Sequence, residues 1–207
     1  TIRATSSHDT KPIATKINEI ILTGPESSGK STLALTLAQH YQTIWVSEYA
    51  RFYLLQLGRP YQQTDIARIA EGQAAWQKKA LASNAANKYI FTDTDALICK
   101  TWEEVKYGNV SPVVEALWQT AQPTLYLLCA PDLPWQYDPL RETPDPVERW
   151  KIFDQQRRAL TEAKSTLLMV SGSVHNRLAT ATAWLNLQHK TCTIIAAPIP
   201  LSYENKP

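Results

Sequence analysis

Eight residues, GPESSGKS, run from Gly24 to Ser31 between an apolar run (Ile20, Ile21, Leu22) and a leucine-rich segment carrying Leu33, Leu35 and Leu37. They match the pattern G-x-x-x-x-G-K-[ST] in the strand, loop and helix order that a phosphate-binding loop requires. Gly24 and Gly29 allow a tight turn and close approach of the backbone to phosphate oxygens. Pro25, Glu26, Ser27 and Ser28 lie between them, and the loop's successive N–H groups form an anion nest with the start of the following helix. Lys30 then reaches the outer phosphates, and Ser31, followed by Thr32, offers a hydroxyl to magnesium. Only six of the 207 residues are glycine, and two of those hold the fixed positions of this pattern. A chance match in a surface turn is a poor account of it, and the expected ligands are ATP and Mg2+.

At 207 residues the chain is long enough for one well-buried α/β domain and short for two. Its net charge of +2 comes from 21 basic and 19 acidic residues spread along the chain, which leaves no basic stripe to suit nucleic acid. Cys99, Cys129 and Cys192 are widely spaced without a C-x-x-C pair, against a disulfide framework or a zinc site. Cys99 and Cys129 sit in apolar segments, as buried thiols would. No apolar stretch approaches the roughly 18 residues of a membrane span and no signal-peptide core is visible, so a cytoplasmic enzyme is expected.

Residues 1–16 are polar and aperiodic and are expected to form an arm outside the core. Strand-like segments at 18–23, 43–46, 89–92, 124–129 and 166–170 then alternate with helical ones. That alternation predicts an α/β three-layer sandwich around a central parallel five-stranded sheet. After Thr64, residues Ile66, Ile69, Ala70, Gln73, Ala74, Gln77 and Leu81 recur at helical spacing, with Thr64 and Asp65 suited to the first turn. Trp76 and Trp102 fall on helices and read as core or interface. Between 131 and 146, Pro131, Pro134, Pro139, Pro144 and Pro146 stand among Trp135, Tyr137, Asp138 and Arg141, which predicts a structured loop after the fourth strand. The last helix is expected to end near Gln188, with 189–207 as a tail whose run Ile194 to Ala197 suits an edge strand or a docked segment.

Ligands of open α/β sheets gather beyond the carboxyl ends of the strands. Here strand two leads into Ser47-Glu48-Tyr49-Ala50-Arg51, strand three into Asp93-Thr94-Asp95, and strand four into the loop with Arg141. Glu48 and Arg51 share a helix face, either as a surface ion pair or as the acceptor side of a phosphotransfer site. In the second case Glu48 orients a hydroxyl nucleophile and takes its proton. Asp93 closes Tyr89-Ile90-Phe91 like a Walker B strand and reads as a magnesium ligand, directly or through water. Asp95 either caps the helix that begins at Ala96 or holds a ribose hydroxyl pair, and the substrate role is the one carried forward. Arg141, with Trp135 and Leu140 as cover, would bring positive charge to a migrating phosphoryl group and exclude water.

Competing nucleotide-binding classes lack their marks. A small GTPase should carry N-K-x-D, and neither Asn87-Lys88 nor Asn205-Lys206 continues to that aspartate. An AAA-type remodelling ATPase ordinarily has a further helical domain, for which this length leaves little room.

Taken together, GPESSGKSTL, SEYAR, FTDTDALICKTW and PWQYDPLR resemble the ribosylnicotinamide kinase domain of the bacterial NadR proteins and its stand-alone relatives among the AAA-like ATP-binding P-loop proteins. The resemblance covers roughly residues 17–188 and implies a P-loop kinase fold with a lid near 131–146. It further implies ATP- and Mg2+-dependent phosphorylation of the 5′-hydroxyl of nicotinamide riboside or a related nucleoside, a step of NAD salvage. Carried onto this chain, catalysis falls to Lys30, Glu48, Asp93 and Arg141, and the nucleotide to Gly24 through Thr32. Acceptor contacts fall to Glu48, Tyr49, Arg51, Asp95, Trp135 and Asp138, and magnesium to Ser31 and Asp93. Where the family carries an aromatic residue before the glutamate, suited to stacking on a pyridine ring, this chain has Ser47, with Trp45 two positions earlier. No H-x-G-H motif of adenylyl transfer occurs, so that activity is not expected. The second reading is a nucleotide-dependent regulatory switch without small-molecule kinase activity.

Overall fold

The computed structural model describes residues 18–83, 88–120 and 125–195, with side chains as far as residue 188. The expected arm at 1–16 and the end of the tail, from 196 on, lie outside the described residues. In chain order the elements are β1 (Asn18–Thr23), α1 (Lys30–His40), β2 (Trp45–Val46), α2 (Tyr49–Leu57), α3 (Gln63–Leu81), β3 (Tyr89–Asp93), α4 (Ala96–Tyr107), α5 (Pro112–Thr120), β4 (Leu125–Cys129), α6 (Pro146–Glu162), β5 (Thr166–Val170) and α7 (Val174–Ile195). All five strands are parallel, in the order β2-β3-β1-β4-β5. β1 is central, and its neighbours on either side come from opposite directions of sheet growth, so its carboxyl end is the switch point where a ligand crevice opens.

The central strands β3, β1 and β4 are buried on both faces, as the alternation predicts for parallel strands. Ile20 is in register with Phe91 and Leu125. On that face Ile20, Leu22, Phe91 and Leu127 pack beneath α1 and α7 through Leu33, Leu37, Ala181 and Leu185. On the other face Ile21 and Tyr126 meet Leu97 of α4 and Leu160 of α6, and Ile90 and Val46 meet Ala80 and Trp76 of α3. A second core holds α2, α3, α4 and α5 together through Ala50, Ile66, Ile69, Ala70, Cys99 and Val114. Cys99 and Cys129 are buried free thiols, as expected.

Two boundaries, those of β2 and α7, differ appreciably from expectation, and α3 has Thr64 and Asp65 in its first turn as expected. β2 is only Trp45–Val46, because the backbone N–H of Thr43 donates to the Ala38 carbonyl of α1 at 2.9 Å instead of joining the ladder. α3 starts at Gln63, and Asp65 in its first turn accepts from Gln62 N–H at 2.8 Å, from Tyr53 Oη at 2.8 Å and from Arg59 at 2.8 and 2.9 Å. α7 continues to Ile195, so Ile194 and Ile195 are helical and no edge strand begins there.

Candidate active site

The loop between β1 and α1 is set by its two glycines. Gly24 has φ of +142°, and a Cβ there would lie 2.5 Å from the Cys129 carbonyl oxygen, so the end of β4 admits only glycine. Gly29, with φ of +79°, caps α1. Ser28 Oγ donates to the Pro25 carbonyl at 2.7 Å, and Lys30 Nζ donates to the same oxygen at 2.8 Å, which folds the ammonium back over the loop.

Two buried arginines that the sequence reading passed over hold the loop from beneath. Arg149 of α6 donates to the carbonyls of Glu26 at 3.0 Å, Ser27 at 3.2 Å and Leu133 at 3.2 Å, and burial pulls its pKa below the usual arginine value. Arg177 of α7 donates to the carbonyls of Ser28 at 3.0 Å, Ala130 at 3.2 Å and Gly172 at 2.7 Å, and pairs with Asp132. With the carbonyls of Glu26, Ser27 and Ser28 so engaged, the N–H side of the loop is left for phosphate.

In front of the loop opens a cavity of about 410 Å³. Its lining includes Pro25 through Thr32 and, with them, Ala50, Leu54, Ile98, Thr101, Trp102 and Val105. Glu48 and Arg51 also line it, and Leu140 through Thr143 of the proline-rich segment cover it. Glu48 is the extended residue that caps α2, so its carboxylate stands where β2 ends.

Asp93 closes β3 at 1 % exposure, and neither of its carboxylate oxygens has a hydrogen-bond partner among the described residues. Burial, reinforced by the Glu48 charge, pushes its pKa up to about 7 against the pull of Lys30, Ser31 and Arg51. A buried carboxylate without partners, beside a loop hydroxyl, suits a hydrated hard cation such as Mg2+. Ser31 and Asp93 are the residues that would hold it.

Other expected site residues lie elsewhere. Asp95 is fully committed as the cap of α4, accepting from Leu97 N–H at 3.1 Å and from Tyr126 Oη at 2.7 Å, and it does not line the cavity. Tyr49 turns its ring away from the cavity, against Gly72, Phe52, Tyr53 and Trp76. Trp135 packs edge-on to Tyr137 outside the lining. Asp138 is also outside it, bound to Arg51 at 2.7 Å, a contact that ties the covering segment to α2. Arg141 does line the cavity, with Nη1 on the Gln136 carbonyl at 2.8 Å.

Neither Ser47 nor Trp45 lines the cavity, and Trp45 is 37 % exposed. The aromatic side chain in the lining is Trp102, expected as core or interface; it packs against the second core and also faces the cavity. Its Nε1 donates to Tyr61 Oη at 2.9 Å, which fixes the plane of the ring. The signal was present as Ile98, Thr101, Trp102 and Val105, one face of the helix that follows the D-T-D turn.

A phosphate loop at the switch point of a 2-3-1-4-5 parallel sheet, with a buried carboxylate ending the neighbouring strand, defines a P-loop kinase fold. The chain belongs to the AAA domain family, whose sequence profile matches residues 19–177. More particularly, it is 34 % identical over 137 residues to the trifunctional NAD biosynthesis/regulator protein NadR of Escherichia coli (strain K12), and equally to that of Salmonella typhimurium (strain LT2). Each alignment takes in 64 % of this chain and 33 % of the relative, so the chain spans about a third of their length. A crystal structure of NadR in complex with NR matches with a TM-score of 0.69 at 18 % identity, over 90 % of this chain and 53 % of that one. NadR in complex with NAD and AMP-PNP gives 0.63 at 20 % identity, over 76 % and 45 %. A deoxyadenosine kinase of M. mycoides gives 0.55 at 12 % identity, over 82 % and 99 %. At such identities these structures speak for the fold. No helix among the described residues is long and apolar enough to cross a membrane.

Proposed function

We propose that the chain is an ATP-dependent small-molecule kinase that transfers the γ-phosphoryl group to the 5′-hydroxyl of nicotinamide riboside or a closely related nucleoside. The observation that carries this reading is that one cavity takes in the phosphate loop, the Glu48 carboxylate and an apolar set that includes Leu54, Ile98 and Trp102. A regulatory ATPase has use for the phosphate loop and none for the apolar set. The kinship with NadR, named for NAD biosynthesis, and the fold match to NadR in complex with NR favour nicotinamide riboside as the acceptor.

In this reading the ATP phosphates lie on the loop, and Lys30 leaves the Pro25 carbonyl for their outer oxygens. The flat base of the acceptor rests against Trp102, which points its ribose toward Glu48. Glu48 takes the proton of the 5′-hydroxyl as that oxygen attacks the γ-phosphorus, and ADP departs. Arg141 meets the charge of the phosphoryl group in flight, and the covering segment keeps water out. Bound Mg2+, held by Ser31 and Asp93, would neutralise the β- and γ-phosphate oxygens. The test is a panel of nucleosides screened for acceptor-dependent ADP release, with products weighed by mass spectrometry. One monophosphate per ADP from nicotinamide riboside or a near analogue is expected. Slow ADP release that no acceptor stimulates would favour the regulatory ATPase.

A further inference from the structure

Glu26 places a carboxylate in the wall of a cavity built to receive a polyanion, where like charge opposes binding. The structure shows what holds it there. Glu26 Oε1 accepts from Glu142 N–H at 2.9 Å, and Oε2 accepts from Glu142 N–H at 3.0 Å and Thr143 N–H at 2.9 Å. These are the two residues directly after Arg141, in a stretch without helix or strand to satisfy its amides. The same glutamate is pinned at its carbonyl by Arg149 Nε at 3.0 Å, so it cannot drift with the segment it grips. Beyond the latch, the Glu142 carboxylate accepts from Tyr61 Oη at 2.6 Å and Lys106 Nζ at 3.0 Å, and Tyr61 in turn accepts from Trp102. A single chain of hydrogen bonds thus runs from the phosphate loop, through the backbone next to Arg141, to the wall of the acceptor chamber.

We infer that Glu26 is a positioning residue: its carboxylate latches the amides of Glu142 and Thr143 and so sets where Arg141 stands over the phosphate loop. The inference rests on the kinase reading for its kinetic consequence and on geometry alone for the latch. It reverses the sign expected of an ordinary phosphate-loop residue. Removing the charge relieves repulsion against phosphate, so nucleotide affinity holds or rises while turnover falls.

Glu26→Gln keeps one acceptor oxygen, and Glu26→Ala keeps none. In the full chain, hydrogen exchange at the 142 and 143 amides should quicken by about tenfold or more in Glu26→Ala, with Glu26→Gln between it and the wild type. Affinity for a non-hydrolysable ATP analogue, by calorimetry, should stay within twofold or tighten. With an active acceptor, kcat should fall roughly tenfold to a hundredfold in Glu26→Ala, the scale of a misplaced catalytic group. Because Glu26 acts through Arg141, Glu26→Ala added to Arg141→Ala should lower kcat no further, whereas a merely structural loss would add. Unchanged exchange at 142 and 143, or a tenfold loss of nucleotide affinity with kcat intact, or additive losses in the double variant would each overturn the inference. If the wild type phosphorylates no nucleoside, the kinase reading fails by itself, and the exchange measurement then decides the latch alone.

Discussion

Tyr49 directly follows Glu48, so whatever moves its ring moves the proposed base, and Gly72 on α3 provides the lever. A Cβ at position 72 would sit 2.1, 2.4 and 2.5 Å from Tyr49 Cε1, Cζ and Cδ1. The ring has no easy escape, because the rings of Trp76, Phe52 and Tyr53 surround it at centroid distances of 4.8, 5.5 and 6.3 Å. Restoring ordinary contact at 3.5–4 Å requires a shift of about 1.5 Å. In Gly72→Ala, the intrinsic helix preference gains about 1 kcal/mol. Overpacking the aromatic box costs about 1–3 kcal/mol. The two nearly offset, leaving a net loss of about 0–2 kcal/mol, and the variant stays folded.

Its rate suffers more than its stability, since misplacing a catalytic group by about 1 Å costs up to about 10². Gly72→Ala should therefore melt within several degrees of the wild type and lose about 10- to 100-fold in kcat. Its KM for ATP should hold within about twofold, because the clash does not touch the phosphate loop. Adding Tyr49→Leu frees the space and should return most of the rate. The measurements are a circular-dichroism melt and steady-state acceptor-dependent ADP release. A Gly72→Ala protein stabilised by about 1 kcal/mol with unchanged kcat would refute the packing and turn Tyr49 back toward substrate.

Glu48→Gln keeps size and shape but loses the base, so kcat should fall by about 10² to 10⁴ while analogue binding persists; an unchanged acceptor reaction would leave Glu48 a helix-terminal carboxylate only. Arg141→Ala should cut kcat by about 10³ with little change in ATP affinity, and Arg141→Lys should recover part, since a point charge lacks the planar two-pronged contact. A raised KM for ATP with near-normal kcat would make Arg141 a ground-state clamp. Asp93 has a pKa raised by folding from 3.8 to about 7, so the native state holds the extra proton in that window and wild-type stability falls as pH rises through it. Asp93→Asn should thus be the more stable protein to urea at pH 8, inactive, and no more stable than wild type below pH ~4; a gain independent of pH would mean that Asp93 titrates normally.

What the sequence made legible is local in cause. The glycine spacing of the phosphate loop and the unbroken apolar runs of two-faced strands each announce themselves within a few residues. Side-chain direction is not local in that way. Successive residues on a helix diverge by about 100°, so Glu48 and Arg51 face the cavity while Tyr49, between them, faces α3. Asp93 and Asp95 would share a face in a continuing strand, but Thr94 has φ of +72° and breaks the alternation, sending one carboxylate under the phosphate loop and the other into the cap of α4. Arg149 and Arg177 stay invisible for another reason. Their partners are loop carbonyls 122 and 149 residues away in sequence, and a carbonyl leaves no trace in residue type.

The acids around the cavity separate into roles by what already occupies them. Glu26 is spent on lid amides, Glu142 on Tyr61 and Lys106, and Asp138 on Arg51. Among the described residues, the carboxylates of Glu48 and Asp93 have no hydrogen-bond or ion-pair partner. Their environments set them apart, since Glu48 opens on the cavity and Asp93 is sealed beneath it. In the proposed kinase reaction, an open carboxylate in the cavity wall would take a proton from an incoming hydroxyl. A sealed one beside the loop serine would, in the same reading, hold the cation. A switch protein requires the second and has no work for the first, so the fate of Glu48 separates the two functions more sharply than any residue of the phosphate loop can.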